Sequence, residues 1–159
     1  MKDLTITAHI NIYQYNELKE ADRTLIDAAK EATKRSYVPY SHFHVGAAVR
    51  LEDDSILTGC NQENAAYPSG LCAERTTIFY ANAQYPELAI TTLAIAARTE
   101  QDFVDQPIPP CGACRQVILE SENRYNHPIR ILLYGKKCIY EVRNVGDLLP
   151  LSFEASSME

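Results

Sequence analysis

Apolar and polar residues change rhythm several times along the chain. Leu4, Ile6, Ala8, Ile10 and Ile12 alternate with polar neighbours, the period-two signature of a strand or extended arm. Leu18, Ala21, Leu25, Ala28 and Ala32 then recur at helical spacing, with charged residues between them. That pattern predicts an amphipathic surface helix over about 18–35. Val38-Pro39 punctuates its end, because proline disfavours helix in the residue before it. Phe43 to Leu51 and Ile56 to Cys60 read as two strands around a turn at Glu52-Asp53-Asp54-Ser55. Asn61 to Leu71 is rich in Asn, Pro, Ser and Gly and reads as a loop.

Further along, the pattern predicts a helix over Leu71–Ala83, a buried strand over Leu88–Ala97 and a proline-containing loop over Gln101–Pro110. A helix over Cys111–Asn123 follows, then strands over Ile129–Tyr134 and Cys138–Val142 and a short helix over Val145–Leu149. An acidic tail beyond Phe153 is expected to fray. A hairpin followed by strand, helix, strand, helix, strand is the order of parallel strands with crossover helices. The expected fold is therefore α/β: a three-layer α/β/α sandwich around a mixed sheet of about five strands. No repeat, low-complexity run or long linker divides the chain. Residues 1–159 are expected to form a single domain, with 1–15 as an N-terminal extension and 154–159 as a tail.

Composition narrows the class. Surface scaling lets a chain of this size bury roughly 70% of its extended surface, so a core needs no disulfide staples. Fifteen basic and twenty-one acidic residues leave a net charge of −6. Such a chain gains little from counterion release on a phosphate backbone, which argues against nucleic acid as a partner. Nothing reaches 18 consecutive apolar residues, so no membrane span is expected. Met1 to Tyr15 alternates and has no apolar signal-peptide core. A cytoplasmic, reducing location follows, where an odd set of five cysteines serves as free thiols or metal thiolates.

Three of the five stand at informative places. Cys72 opens one predicted helix, and Cys111 and Cys114 open another as Pro109-Pro110-Cys111-Gly112-Ala113-Cys114. A C-x-x-C pair grips one metal from a single helical turn, and Cys72 can complete a three-sulfur set that leaves a fourth zinc position for water. Helix N-termini favour the thiolate over the thiol. The rival readings are a dithiol redox pair, two small buried residues, or a structural zinc completed by His42 or His44. Glu74 lies two residues after Cys72. An acid in a first helical turn is usually a dipole-complementing surface residue. Beside a metal-bound water it is instead a general acid and base. Cys60 and Cys138 fall at strand edges and read as small buried apolar residues.

Cys72-Ala73-Glu74-Arg75 and Pro110-Cys111-Gly112-Ala113-Cys114-Arg115-Gln116 closely resemble the zinc-dependent cytidine deaminases of the small homotetrameric type. Tyr40-Ser41-His42-Phe43-His44-Val45-Gly46-Ala47-Ala48, Asn61-Gln62-Glu63-Asn64-Ala65 with Tyr67-Pro68, and Leu148-Leu149-Pro150 with Phe153 extend the resemblance over about Ala28 to Phe153. The resemblance implies one Zn2+ per subunit on Cys72, Cys111 and Cys114. It implies attack of zinc-activated water on C4 of cytosine, with Glu74 as proton shuttle. Arg75 is implied to sit behind the ligands and tune them. Asn61 and Glu63 are implied to bind ribose hydroxyls, Phe43 to pack on the pyrimidine, Tyr67 to line the sugar side and Ala73 to line the substrate site. Phe153 is implied to reach into a neighbouring subunit's site in a homotetramer. Without the resemblance, Asn61 and Glu63 would read as turn residues and Phe43 as a core strand residue.

The implied activity is hydrolytic deamination of cytidine and 2′-deoxycytidine in pyrimidine salvage. The alternatives are a blasticidin-type deaminase, an editor of polynucleotides, a nucleotide deaminase and a non-enzymatic structural-zinc module. The acidic net charge argues against the second. A nucleotide enzyme would want a basic phosphate pocket and a histidine where this chain has Cys72.

Overall fold

Both faces of the central strands are apolar, and for that reason the sheet is covered twice. The computed structural model describes residues 1–158. Its strands are β1 (Ile10–Tyr13), β2 (His44–Leu51), β3 (Ile56–Cys60), β4 (Ile90–Arg98), β5 (Arg130–Tyr134) and β6 (Ile139–Val142). The helices are α1 (Glu20–Ala32), α2 (Ala73–Gln84) and α3 (Gly112–Tyr125). Strand side chains alternate between faces. Ala47 and Val49 of β2, Leu93 and Ile95 of β4, and Ile131 and Leu133 of β5 pack with Ile78 of α2 and Ile118 of α3. Their neighbours Ala48, Ala94, Ala96 and Leu132 pack with Leu25, Ile26 and Ala29 of α1. The result is the expected α/β/α sandwich. Each fully buried leucine or isoleucine contributes about 1.5–3 kcal/mol.

Small residues set how closely the helices approach. A Cβ on Gly46 would stand 2.0 Å from the Ala29 carbonyl oxygen, so α1 lies on β2 where only glycine fits. A Cβ on Gly59 would stand 2.5 Å from Thr77 Oγ1, so α2 is drawn onto β3 in the same way.

The sheet has six strands in the order β1-β6-β5-β4-β2-β3, one more than expected. The additional strand comes from the N-terminal alternation: Ile10–Tyr13 pairs antiparallel with β6, Ile10 opposite Val142 and Tyr13 opposite Ile139. β4 and β5 form the parallel pair. β3 runs in the same direction as both, but β2 is inserted between β3 and β4, antiparallel to each. The crossover pattern thus predicts direction correctly and adjacency only once. The helix expected over 18–35 is α1 followed by a 3-10 turn at Thr33–Arg35, with buried Leu18 preceding it. Val145–Asp147 forms a 3-10 turn in place of a short helix, and Ala155–Met158 forms another within the tail. None of the helices is long and apolar enough to cross a membrane, among the described residues.

Candidate active site

Both helices on the second face begin at a cysteine. Cys72 precedes α2 with extended backbone, φ −69° and ψ 154°. Cys111 precedes α3 in the same conformation, φ −65° and ψ 166°. Cys114 sits in the first turn of α3 and is fully buried. Leu71 does not join α2, because it exchanges two backbone hydrogen bonds of 2.9 Å with Gln62. That bridge fixes where the loop ends and Cys72 begins. Before α3, Arg115 Nε donates to the Pro110 carbonyl at 2.9 Å, and the same guanidinium reaches the Leu148 carbonyl.

The sulfurs converge. Cys72 Sγ lies 3.7 Å from Cys111 Sγ, which lies 3.5 Å from Cys114 Sγ. All three fall within 4.8 Å of one another. A tetrahedral zinc with Zn–S of about 2.3 Å holds its sulfurs about 3.8 Å apart, whereas a disulfide requires about 2.05 Å. The trio therefore fits an ion and not a disulfide. His44 is engaged elsewhere, its Nδ1 2.7 Å from Ser36 Oγ and its Nε2 2.9 Å from Glu100 Oε1. Among the described residues, three sulfurs alone make up the cluster. An ion held tetrahedrally by these three would keep a fourth position for a small ligand.

Charge is unevenly shared. Hydrogen bonding from the Cys114 thiol, assisted by Arg75 and Cys111, draws the Cys72 thiol down to about 5. Cys114 is pushed far up by the same bond and by burial. Arg75 lies 3.9 Å from Cys72 Sγ through its terminal nitrogen, and this contact raises its own pKa. Its Nε is buried without a partner. Glu74 is 5% exposed. Burial pushes its carboxyl up to about 7, and the negative Cys72 adds to the shift. A group poised there can both accept and return a proton near neutral pH.

A cavity of about 550 Å³ opens beside Cys72, lined by Tyr40, Asn61, Glu63, Tyr67, Leu71 and Arg75 among others. That volume suits a small-molecule site. Asn61 Oδ1 accepts the Val45 N–H at 2.9 Å and its Nδ2 donates to the Phe43 carbonyl at 2.9 Å. One donor and one lone pair of the amide remain. Glu63 Oε2 accepts the N–H groups of Tyr40 at 3.0 Å and Ser41 at 3.2 Å. Hydrogen bonding by the Ser41 side chain, with these amides, holds the carboxyl below the usual range. The second oxygen has no such bond.

The structure thus gathers Cys72, Cys111, Cys114, Glu74 and Arg75 at the centre, and Asn61, Glu63 and Tyr67 at the cavity. Ala73 is fully buried at the first residue of α2. Phe43 is half-buried beside Asn61 and joins the site through its carbonyl. Phe153 is 62% exposed and lies outside its own chain's cavity, with its carbonyl accepting from Gln116 at 2.8 Å. Tyr40 and Ser41 were not singled out by sequence. Both donate backbone N–H groups to Glu63, which leaves no side-chain signature, and Ser41 adds its side chain. Tyr40 also meets Tyr67 edge to face, with centroids 6.0 Å apart.

Residues 19–126 match the family described as the cytidine and deoxycytidylate deaminase zinc-binding region. The cytidine deaminase of Sporosarcina psychrophila is 42% identical over 134 residues, covering 84% of this chain and 92% of that protein. That of Mycobacterium tuberculosis H37Rv is 39% identical over 128 residues, 79% of this chain and 84% of its own. The crystal structure of cytidine deaminase from Burkholderia pseudomallei aligns with a TM-score of 0.69 at 40% identity, over 82% of this chain and 97% of that one. Because the matched stretch carries all three converging sulfurs and the buried glutamate, the chain belongs to the zinc-binding cytidine deaminase family and is an enzyme of that family.

Proposed function

We propose that this enzyme hydrolyses free cytidine and 2′-deoxycytidine to uridine and 2′-deoxyuridine with release of ammonia, as a cytoplasmic step of pyrimidine salvage. The reading is carried by buried Glu74 next to three sulfurs at metal-binding separations, with a nucleoside-sized cavity opening at Cys72. Zinc held by Cys72, Cys111 and Cys114, one per subunit, supplies the Lewis acidity that makes a water nucleophilic near neutral pH. Three thiolates leave that centre one excess negative charge, and the Arg75 guanidinium on Cys72 offsets it.

Glu74 takes the proton of the attacking water. It delivers that proton to N3 of the pyrimidine, then carries the second water proton, from the new C4 hydroxyl, to the departing amine. The new C4–O bond replaces the C4–N bond, and ammonia leaves. Glu63, anchored through one oxygen, uses the other to accept a ribose hydroxyl. Asn61 uses its remaining donor and acceptor toward the same sugar while holding the backbone of Phe43 and Val45. Phe43 packs against the ring, Ala73 backs it at the start of α2, and Tyr67 closes the sugar side.

The exposed Phe153 supports a homotetramer in which each site receives a neighbour's tail. Among the described residues lining the cavity, the one basic side chain is Arg75, which is committed to Cys72. A substrate phosphate would find no partner there, which favours nucleosides over nucleotides. An ultraviolet deamination assay on cytidine, deoxycytidine, CMP and blasticidin S tests the assignment. Turnover of the first two, with the others far slower, is expected. Preference for CMP would move the enzyme to nucleotides, and inertness towards all four would make the zinc structural.

A further inference from the structure

We propose that the N-terminal strand is a homotypic docking edge, on which a second copy of this chain pairs antiparallel through residues 4–12. The strand pattern begins well before the strand. Leu4, Ile6, Ala8, Ile10 and Ile12 alternate with polar residues, yet pairing within the chain starts only at Ile10. β1 is the last strand of the sheet, so its outer edge has no strand beside it among the described residues. Leu4 is 76% exposed, Ile6 49%, Ile10 45% and Ile12 64%.

An open edge normally carries charges or proline that discourage pairing. From Leu4 to Tyr13 there is no Asp, Glu, Lys, Arg or Pro. The opposite edge is treated differently. There Tyr37 pairs with the residues that follow β3, and Arg35 bonds Thr58 at 2.7 Å. The family match begins at residue 19, so β1 lies outside the shared segment and is not needed to build the zinc centre.

The segment is complementary to itself. In an antiparallel two-fold pair centred on Ala8, Leu4 meets Ile12 and Ile6 meets Ile10. The smallest side chain, Ala8, faces its own copy at the axis. Thr5 then meets Asn11, and Thr7 meets His9, on the other face. Every apolar residue is matched and no like charges are opposed. Lys2 and Asp3 fall outside the paired core. Such an isologous contact is closed between two copies.

The register gives the test, which is independent of the reaction. Residue 8 of the two copies stands with Cβ atoms about 5 Å apart, whereas residue 4 is about 27 Å from its counterpart. In zinc-loaded full-length protein under mild oxidation, Ala8→Cys is expected to form a disulfide-linked dimer, while Leu4→Cys stays at the wild-type level. Hydrogen exchange supplies a second readout. Backbone amides of Leu4, Ile6 and Ala8, which alternate toward the partner, are expected to be slowed on the order of ten-fold or more, increasingly with protein concentration. Ile6→Lys should abolish that protection. Cross-linking of Ala8→Cys no faster than Leu4→Cys, or concentration-independent open-chain exchange at Leu4, Ile6 and Ala8, overturns the proposal.

Discussion

The sulfur centre and the cavity beside it are built in opposite ways. Cys114 and Glu74 are buried, and the three sulfurs are fixed by two helix starts within one chain. The cavity wall is mostly loop, with Tyr67 three-quarters exposed and Phe153 exposed outside its own chain's cavity. The centre is preorganised because its position follows from packed secondary structure. The wall is held by hydrogen bonds to backbone groups. Chemistry should therefore respond to substitution in an all-or-none way, and substrate affinity in graded steps.

Breaking the centre gives the largest effect. Cys114→Ala is expected to lose the metal and all measurable deamination, checked by zinc content and ultraviolet assay. Arg75→Gln should weaken zinc binding by about 10–100-fold, the usual cost of removing a group that supports a metal ligand. Chelator competition measures this, and Arg75→Lys should restore part of it. If Arg75 is merely a surface cation, both variants will bind zinc as wild type does.

The wall yields smaller changes. Asn61→Ala leaves the Val45 N–H and the Phe43 carbonyl without side-chain partners, so it should lower stability by about 1–3 kcal/mol. It should also raise KM more than it lowers kcat. Glu63 gives the mildest signal. Its folded pKa lies below the ordinary carboxylate value, so its charge is retained as pH falls through the usual range and is lost only in stronger acid. KM for cytidine should stay flat across that range and rise below it, and Glu63→Gln should remove the acid limb.

Local features of the fold were readable from the sequence. Period-two and helical spacing located α1 and β2 to β6 within a few residues, and the three cysteines located the centre. The exact start of α2 was not readable, since Leu71 looks helical but is held by a backbone bridge to Gln62. The N-terminal alternation marks a strand or extended arm, but its place as the sixth strand of the sheet depends on Ile10 pairing with Val142, far along the chain, which local spacing does not show. The insertion of β2 between β3 and β4 is likewise a long-range choice. At the site, Asn61 and Glu63 carry side-chain signals, but their anchors are backbone groups of Phe43, Val45, Tyr40 and Ser41. Backbone donors and acceptors are common to nearly every residue, so sequence gives no sign of which ones a fold will use.

The most direct test is Glu74→Gln, which keeps the shape of the side chain and removes its ability to exchange protons. The account predicts one zinc per subunit, intact binding of cytidine and a fall in kcat of about 10²–10⁴-fold. Retained turnover with full zinc occupancy would contradict the role of Glu74 as the proton carrier.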